Sequence, residues 1–220
     1  ITRKHNVMFF TDATQAVGKI PVNVIKDGID LLSFSAHKIY GPKGVGALYI
    51  RRKDPRVRIT AQMDGGGQEK GFRSGTLNVP GIVGFGKACD LCFIEMQKDG
   101  ERLGKLRHKL ESELLEMEDV FINGSTKHRL PYVSNMSFKN ADSAGLMAAL
   151  SKNVALSSGS ACTSALLAPS FVLKALGLSD EMALSSLRFG LGRFTSEEEI
   201  DYTIGEVKRS VLNLRELAEF

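Results

Sequence analysis

The sequence predicts an α/β fold in two parts, and three observations carry that expectation. Short apolar runs of the buried-strand type, punctuated by glycine, fill the first part. Helical spacing and further short strands fill the second. Polar and reactive residues cluster directly after strands, where open α/β sheets gather their ligands. At 220 residues with 43% hydrophobic and 25% charged side chains, the chain can bury a core without disulfides and lacks the composition of a disordered segment. No apolar run approaches the roughly 20 residues that span a bilayer, so no membrane span is expected.

The elements follow in order. Val7-Met8-Phe9-Phe10 reads as a buried strand and Thr14–Gly18 as a short turn or helix. Ile29–Ser35 is a second strand, Gly41-Pro42-Lys43-Gly44 a turn, and Val45–Ile50 a third strand. A glycine-rich loop at 65–76 leads to a helix from Val79 to about Lys98. Leu103, Leu106, Leu110, Leu114 and Met117 recur every three or four residues, the stripe of a separate amphipathic helix. Val120–Ile122 and Ser134–Phe138 are strands, and Asp142 caps a helix through Leu150. A short helix at Phe171–Leu176 stops at Gly177, Ser186–Phe189 is a strand, and Thr195-Ser196-Glu197-Glu198 is a capping box opening the last helix. The expected division is 1–95 and 96–220. Because the sequence opens without methionine a few residues before a strand, it is expected to begin inside a larger protein.

The net charge of +4 says little about partners. The basic run Arg51–Arg58 has no interleaved aromatics to stack bases, so it reads as a solvated turn rather than a nucleic-acid patch. Three cysteines make no disulfide framework, and a reducing compartment fits. Cys89 and Cys92 form a lone C-x-x-C in a helical stretch with no second pair, which reads as two helix positions rather than a zinc site.

Several segments carry chemistry, each with a plainer alternative. Asp12, directly after a strand, is either a local cap or the partner of a cation. Ser35, His37 and Lys38 crowd one strand end, where a lysine serves either as an exposed turn residue or, with a depressed pKa, as a carbonyl-binding amine. Gly41 and Gly44 lack the P-loop pattern. The 65–76 loop, ending Arg73-Ser74-Gly75-Thr76, either holds a phosphate, reaches a second subunit, or is a flexible connection. Cys162 lies among small polar residues, surroundings that suit a reactive thiol.

Together these segments resemble one family. Phe10-Thr11-Asp12-Ala13-Thr14-Gln15-Ala16, Ser35-Ala36-His37-Lys38-Ile39-Tyr40-Gly41-Pro42-Lys43-Gly44, Gly65-Gly66-Gly67-Gln68-Glu69, Arg73-Ser74-Gly75-Thr76-Leu77-Asn78 and Ser157-Ser158-Gly159-Ser160-Ala161-Cys162-Thr163-Ser164 are similar to the group I cysteine desulfurases. These are pyridoxal-phosphate (PLP) enzymes of the aminotransferase-like fold type I that serve iron–sulfur cluster assembly. The resemblance implies that 1–95 is the C-terminal part of the PLP-binding large domain, and 96–220 the small α+β domain with the catalytic cysteine loop. It implies that Lys38 links covalently to the cofactor and moves the substrate's α proton. Asp12 pairs with the pyridinium nitrogen, Gln15 with the phenolic oxygen, and Ser35 and His37 with the phosphate. Thr76 reaches the phosphate of a partner subunit, Arg188 clamps the carboxylate of L-cysteine, and Cys162 takes the sulfur as a persulfide, leaving L-alanine.

The family also carries an N-terminal half of the cofactor domain, which is lacking here, and a longer C-terminal tail that docks the scaffold. Ala168 stands where an acidic residue is common. The implied partners are a second copy of the chain and iron–sulfur scaffold or other sulfur-acceptor proteins. Nucleic acid enters only indirectly, through tRNA thiolation. No metal is expected from the protein alone, with Cys162 a possible iron–sulfur ligand in a scaffold complex. The implied compartment is a bacterial cytoplasm or a mitochondrion-type organelle, not the secreted space. The alternative from a different class is a non-catalytic fragment or pseudoenzyme that binds sulfur acceptors. Another fold type I enzyme, such as an aminotransferase, leaves Cys162 without a task.

Overall fold

The computed structural model describes residues 1–158 and 168–218. Contacts divide the chain into two units, Ile1–Lys98 and Asp99–Phe220.

The first unit is built on a sheet of β1 (Phe10–Asp12), β2 (Leu31–Ser35) and β3 (Gly46–Ile50), in that order. β1 runs parallel to β2, with Phe10 opposite Leu31 and Asp12 opposite Ser33. β3 returns antiparallel, with Ser33 opposite Leu48 and Ser35 opposite Gly46. Opposed residues share a face. Leu32, Phe34 and Tyr49 therefore face one way, into a cluster with Ala13, Ile29 and Val24. Phe10, Asp12, Ser33, Ser35 and Leu48 face the other way, where Phe10 and Leu48 are 56% and 50% exposed.

The strand expected from Val7 starts later. Val7 N closes a turn on Thr2 O at 3.0 Å instead of joining the sheet, and Val7 and Met8 are exposed. Pairing begins where Phe9 O accepts from Asp30 N and Leu31 N.

One buried carboxylate ties this sheet together. Asp30, 1% exposed, accepts from Phe9 N at 2.9 Å and Arg3 Nη2 at 2.8 Å, and pairs with Arg51 Nε at 3.0 Å. Arg51 spends its other donors on Val24 O and Ile29 O at 2.6 and 2.8 Å. Arg51, expected in a solvated turn, is thus buried, because its guanidinium neutralises a carboxylate that water does not reach.

Helix α1 (Val79–Leu114) is continuous where two helices were expected. Gly100 and Gly104 weaken a helix but do not remove a backbone donor, and no proline follows Pro80 until Pro131. Pro80 sits in the first turn, and Asn78 Oδ1 accepts from Gly81 N at 3.1 Å. The first half buries Phe85, Ala88 and Cys92 against Ala36 and Ile39. Cys92 Sγ points at Ile39 O at 3.8 Å, a packed thiol, and burial pushes the Cys89 thiol above its ordinary value.

The second unit holds an antiparallel sheet in the order β4 (Val120–Ile122), β5 (Val133–Phe138), β7 (Ser186–Gly190), β6 (Ser157–Ser158). Val120, Met136, Phe138, Leu187 and Phe189 line its core face. Leu103, Leu106, Leu110 and Leu114 of α1 pack there with Leu146 and Leu150 of α2 (Ser143–Leu150) and Val207 and Val211 of α5 (Glu197–Ala218). Between β6 and β7 lie the short helices α3 (Phe171–Ala175) and α4 (Asp180–Leu184). Asp142 caps α2 as expected, through Gly145 N at 2.8 Å. The capping box of α5 is shifted by one residue: Ser196 Oγ accepts from Glu199 N, and Glu199 Oε2 from Ser196 N at 2.9 Å. Thr195 Oγ1 is used elsewhere, accepting from Gly192 N at 2.9 Å. Among the described residues no helix is long and apolar enough to cross a membrane.

Removing one partner of a buried ion pair leaves the other charge uncompensated, at a cost of about 3–5 kcal/mol. Asp30→Ala is therefore expected to lower unfolding stability by about that amount in urea denaturation. A loss below about 1 kcal/mol, the ceiling for exposed pairs, would contradict a buried clamp.

Candidate active site

Asp12, Ser35, His37 and Lys38 collect at one end of the first unit's sheet, at the carboxyl ends of β1 and β2. Asp12 is the last residue of β1, and Ala13 N donates to Ser33 O at 2.8 Å, which carries the parallel pairing one step beyond the strand. Ser33 and Ser35 share the Asp12 face. A single 3₁₀ turn, Ala36–Lys38, follows β2 without a break.

That turn is aimed by its apolar residues. Ala36 is fully buried and Ile39 is 1% exposed, both packed on α1. Ile39 N and Gly41 N both donate to Ala36 O, at 3.0 and 2.9 Å. With Ala36 and Ile39 pinned inward, His37 and Lys38 are turned out to the exposed side. Gly41 permits this close packing, since a Cβ there would meet Ala36 O and the Ala88 side chain at 3.1 Å. Tyr40 takes φ 65°, a strained value for a bulky side chain, with its ring 4.7 Å from Lys19 Nζ.

Asp12 acts as a local acceptor in the structure. Its Oδ1 accepts from Thr14 N at 2.9 Å. Hydrogen bonds from the Thr14 side chain and backbone hold its carboxyl below the ordinary value. Gln15 follows this turn and is exposed. The 65–76 segment is tied down rather than loose: Gln68 Oε1 accepts from Gly75 N at 3.0 Å, and Ser74 is buried. Thr76 is exposed just before α1.

This donor set fits pyridoxal phosphate. An ionised carboxylate suits the ring nitrogen, an exposed primary amine suits the carbonyl, and hydroxyl and imidazole groups suit the phosphate. Arg188 belongs to the second unit, half-buried in the middle of β7 between Asn135 of β5 and Ser157 of β6. Cys162 lies outside the described residues.

A polar cluster that the sequence did not reveal stands next to Arg188. Asn123 Nδ2 shares its two N–H groups among Asn135 Oδ1, Ser137 Oγ and Ser186 Oγ, at 2.6, 2.8 and 3.0 Å. No local pattern singles the cluster out, since Ser134, Asn135 and Ser137 are polar without strict alternation.

The chain is an α/β unit with a carboxylate at the end of one strand and a lysine just after another, followed by an α+β unit. Comparison with known proteins gives its family. The family model for aminotransferase class-V matches residues 1–203, and the chain belongs to that PLP-dependent family. A cysteine desulfurase IscS from Anaeromyxobacter sp. (strain Fw109-5) is 56% identical over 219 residues, covering 99% of this chain and 54% of the relative. A cysteine desulfurase IscS from Escherichia coli O139:H28 is 55% identical over 216 residues, covering 98% of this chain and 53% of the relative. The solved NifS-like protein from Rickettsia africae ESF-5 superimposes with a TM-score of 0.85 at 33% identity, covering 95% of this chain and 55% of that one. A structure described as SspA in complex with cysteine matches at TM-score 0.65 and 32% identity, covering 89% of this chain and 53% of that one. The chain thus spans about half the length of the curated relatives it matches.

Because the folded Asp12 pKa is depressed, its contribution is present above the ordinary value of 3.8 and is lost as pH falls through the lower folded value. Thr14→Ala removes the largest cause of that depression and is expected to move the Asp12 titration upward in carboxylate NMR. An unchanged midpoint would show that Thr14 does not hold the carboxylate.

Proposed function

We propose that this chain carries the lysine- and cysteine-bearing part of a PLP-dependent cysteine desulfurase, converting L-cysteine to L-alanine and passing sulfur on as a persulfide. The observation that carries the reading is the 56% identity to a cysteine desulfurase across 99% of the chain. The Asp12–Lys38 strand-end geometry supports it. In this reading, 1–95 is part of the PLP-binding domain and 96–220 is the small domain with the cysteine loop. The cofactor, when bound, supplies an electron sink for charge developing at the substrate's α carbon.

The chain's own residues do the rest. Asp12 stays ionised opposite the ring nitrogen, and Gln15 meets the phenolic oxygen. Ser35 and His37 take the phosphate, and Thr76 offers its exposed hydroxyl to the phosphate site of a second subunit in a homodimer. Lys38 holds the cofactor and moves the proton at the substrate α carbon. Arg188 grips the substrate carboxylate with its planar fork. Cys162, as the thiolate, attacks the substrate sulfur. A sulfur–sulfur bond forms, the carbon–sulfur bond breaks, and its electron pair and a proton remain with the carbon as alanine. The sum is L-cysteine plus a protein thiol giving L-alanine plus a protein persulfide. The acceptors are iron–sulfur scaffold or other sulfur-carrier proteins, in a bacterial cytoplasm or a mitochondrion-type organelle.

Two substitutions test this. Lys38→Ala is expected to abolish borohydride-trapped PLP on the protein, read by mass spectrometry of the 31–43 region; trapped cofactor on another lysine would refute the assignment. Cys162→Ser is expected to stop sulfide release from L-cysteine while PLP still binds. Cys89→Ser and Cys92→Ser are expected to leave it intact, since both thiols pack in α1. Full sulfide release by the Cys162→Ser protein would overturn the sulfur-transfer step.

A further inference from the structure

We infer that Asn135 is a second residue that binds the substrate carboxylate, donating from Nδ2 beside the Arg188 fork. This rests on the reading of Arg188 as the carboxylate clamp and goes beyond it.

The placement comes from strand register. Asn135 lies directly opposite Arg188 on β5, and Ser157 lies opposite it on β6. Asn123 N donates to Asn135 O at 2.9 Å, extending the same row to the end of β4. Asn123, Asn135, Arg188 and Ser157 thus form one polar row across the sheet, on the face opposite its apolar core. Directly opposed side chains on one face stand about 4.5–5.5 Å apart at Cβ, within reach of a shared small anion.

In the structure Asn135 turns its acceptor end toward Asn123. Its Oδ1 accepts from Asn123 Nδ2 at 2.6 Å. Asn123 is itself held by the serines: Ser137 Oγ meets both ends of its amide, at 2.8 Å from Nδ2 and 3.0 Å from Oδ1, and Ser186 Oγ lies 3.0 Å from Nδ2. Ser186 Oγ is anchored in turn by donating to Met182 O at 2.7 Å. With the acceptor end of Asn135 consumed, its amide NH₂ is the end left for a ligand, and it donates to none of the described residues.

The chemistry matches. A carboxylate offers about four lone-pair sites, and a bidentate guanidinium takes two of them. An adjacent amide NH₂ with its orientation already set satisfies a third at little entropic cost. The network behind Asn135 therefore works as a support that aims a neutral donor at an anion.

The test uses the PLP-loaded protein and two ligands, L-alanine, which has the carboxylate, and cysteamine, which lacks it, with binding followed by calorimetry. Asn135→Ala is expected to weaken L-alanine about tenfold, the usual worth of a hydrogen bond to a charged group, and to leave cysteamine unchanged. Asn135→Asp keeps the acceptor for Asn123 but replaces the donor with a negative charge, so it is expected to weaken L-alanine further. The KM for L-cysteine should rise with kcat nearly constant, as for binding common to ground and transition states. Equal losses for both ligands would mean a structural role and overturn the inference, as would wild-type L-alanine affinity in both variants. Arg188→Ala separates the two readings. If it weakens L-alanine while the Asn135 variants do not, only this inference fails; if it does not, the Arg188 assignment fails first. Should the aspartate variant not fold by circular dichroism, Asn135→Ser carries the same comparison.

Discussion

The buried carboxylate of Asp30 is the constraint on which the first unit depends. It stands just before β2, binds the backbone just before β1 through Phe9 N, and pairs with Arg51 just after β3. All three strands are therefore clamped at one end of the sheet by a charge that has no access to water. The candidate site residues occupy the opposite end, where Asp12 closes β1 and Ser35 closes β2. A rigid, charge-paired end and a polar, open end are two consequences of one register. Slipping β1 by one residue would break the Phe9–Asp30 bond and also turn Asp12 to the wrong face.

The second unit is held by a different balance. Its core face is aliphatic and aromatic, filled by α1, α2 and α5. Beside it Glu111, 2% exposed, receives a two-pronged pair from Arg129 at 2.6 and 2.7 Å, which fixes the segment after β4 to α1. The opposite sheet face is polar along its middle rows, and every serine and asparagine in the Asn123 cluster finds a partner there. Polar groups this well satisfied cost little and hold side chains in single orientations.

Much of this was legible in the sequence because it depends on local chemistry. The strands ending in Ser35 and Ile50, the Asp142 cap and the stop at Gly177 each follow from residues within a few positions. The crowding of Ser35, His37 and Lys38 at the end of β2 likewise follows from adjacent positions in the chain. What escaped depends on distant partners or on competition between equivalent local signals. Asp30 and Arg51 looked like a strand residue and a surface cation, because nothing in the sequence says they meet. The stretches ending near Lys98 and starting near Leu103 looked like two helices, yet α1 runs through both. Thr195–Glu198 and Ser196–Glu199 are equally good capping boxes by spacing, and the choice fell to the second because Thr195 caps the preceding loop. The Asn123–Asn135 pair joins two strands through side chains and leaves no short-range trace.

The central claim is that the open strand ends of the first unit form the cofactor's cradle, with Asp12 as its fixed charge. The most direct measurement is a crystal structure of the protein with PLP bound. The expected result is the pyridine nitrogen at a charge-assisted hydrogen-bond distance of about 2.7–2.9 Å from an Asp12 carboxylate oxygen, with Ser35 and His37 on the phosphate. A ring seated elsewhere, with Asp12 still bonded only to Thr14, would contradict the account.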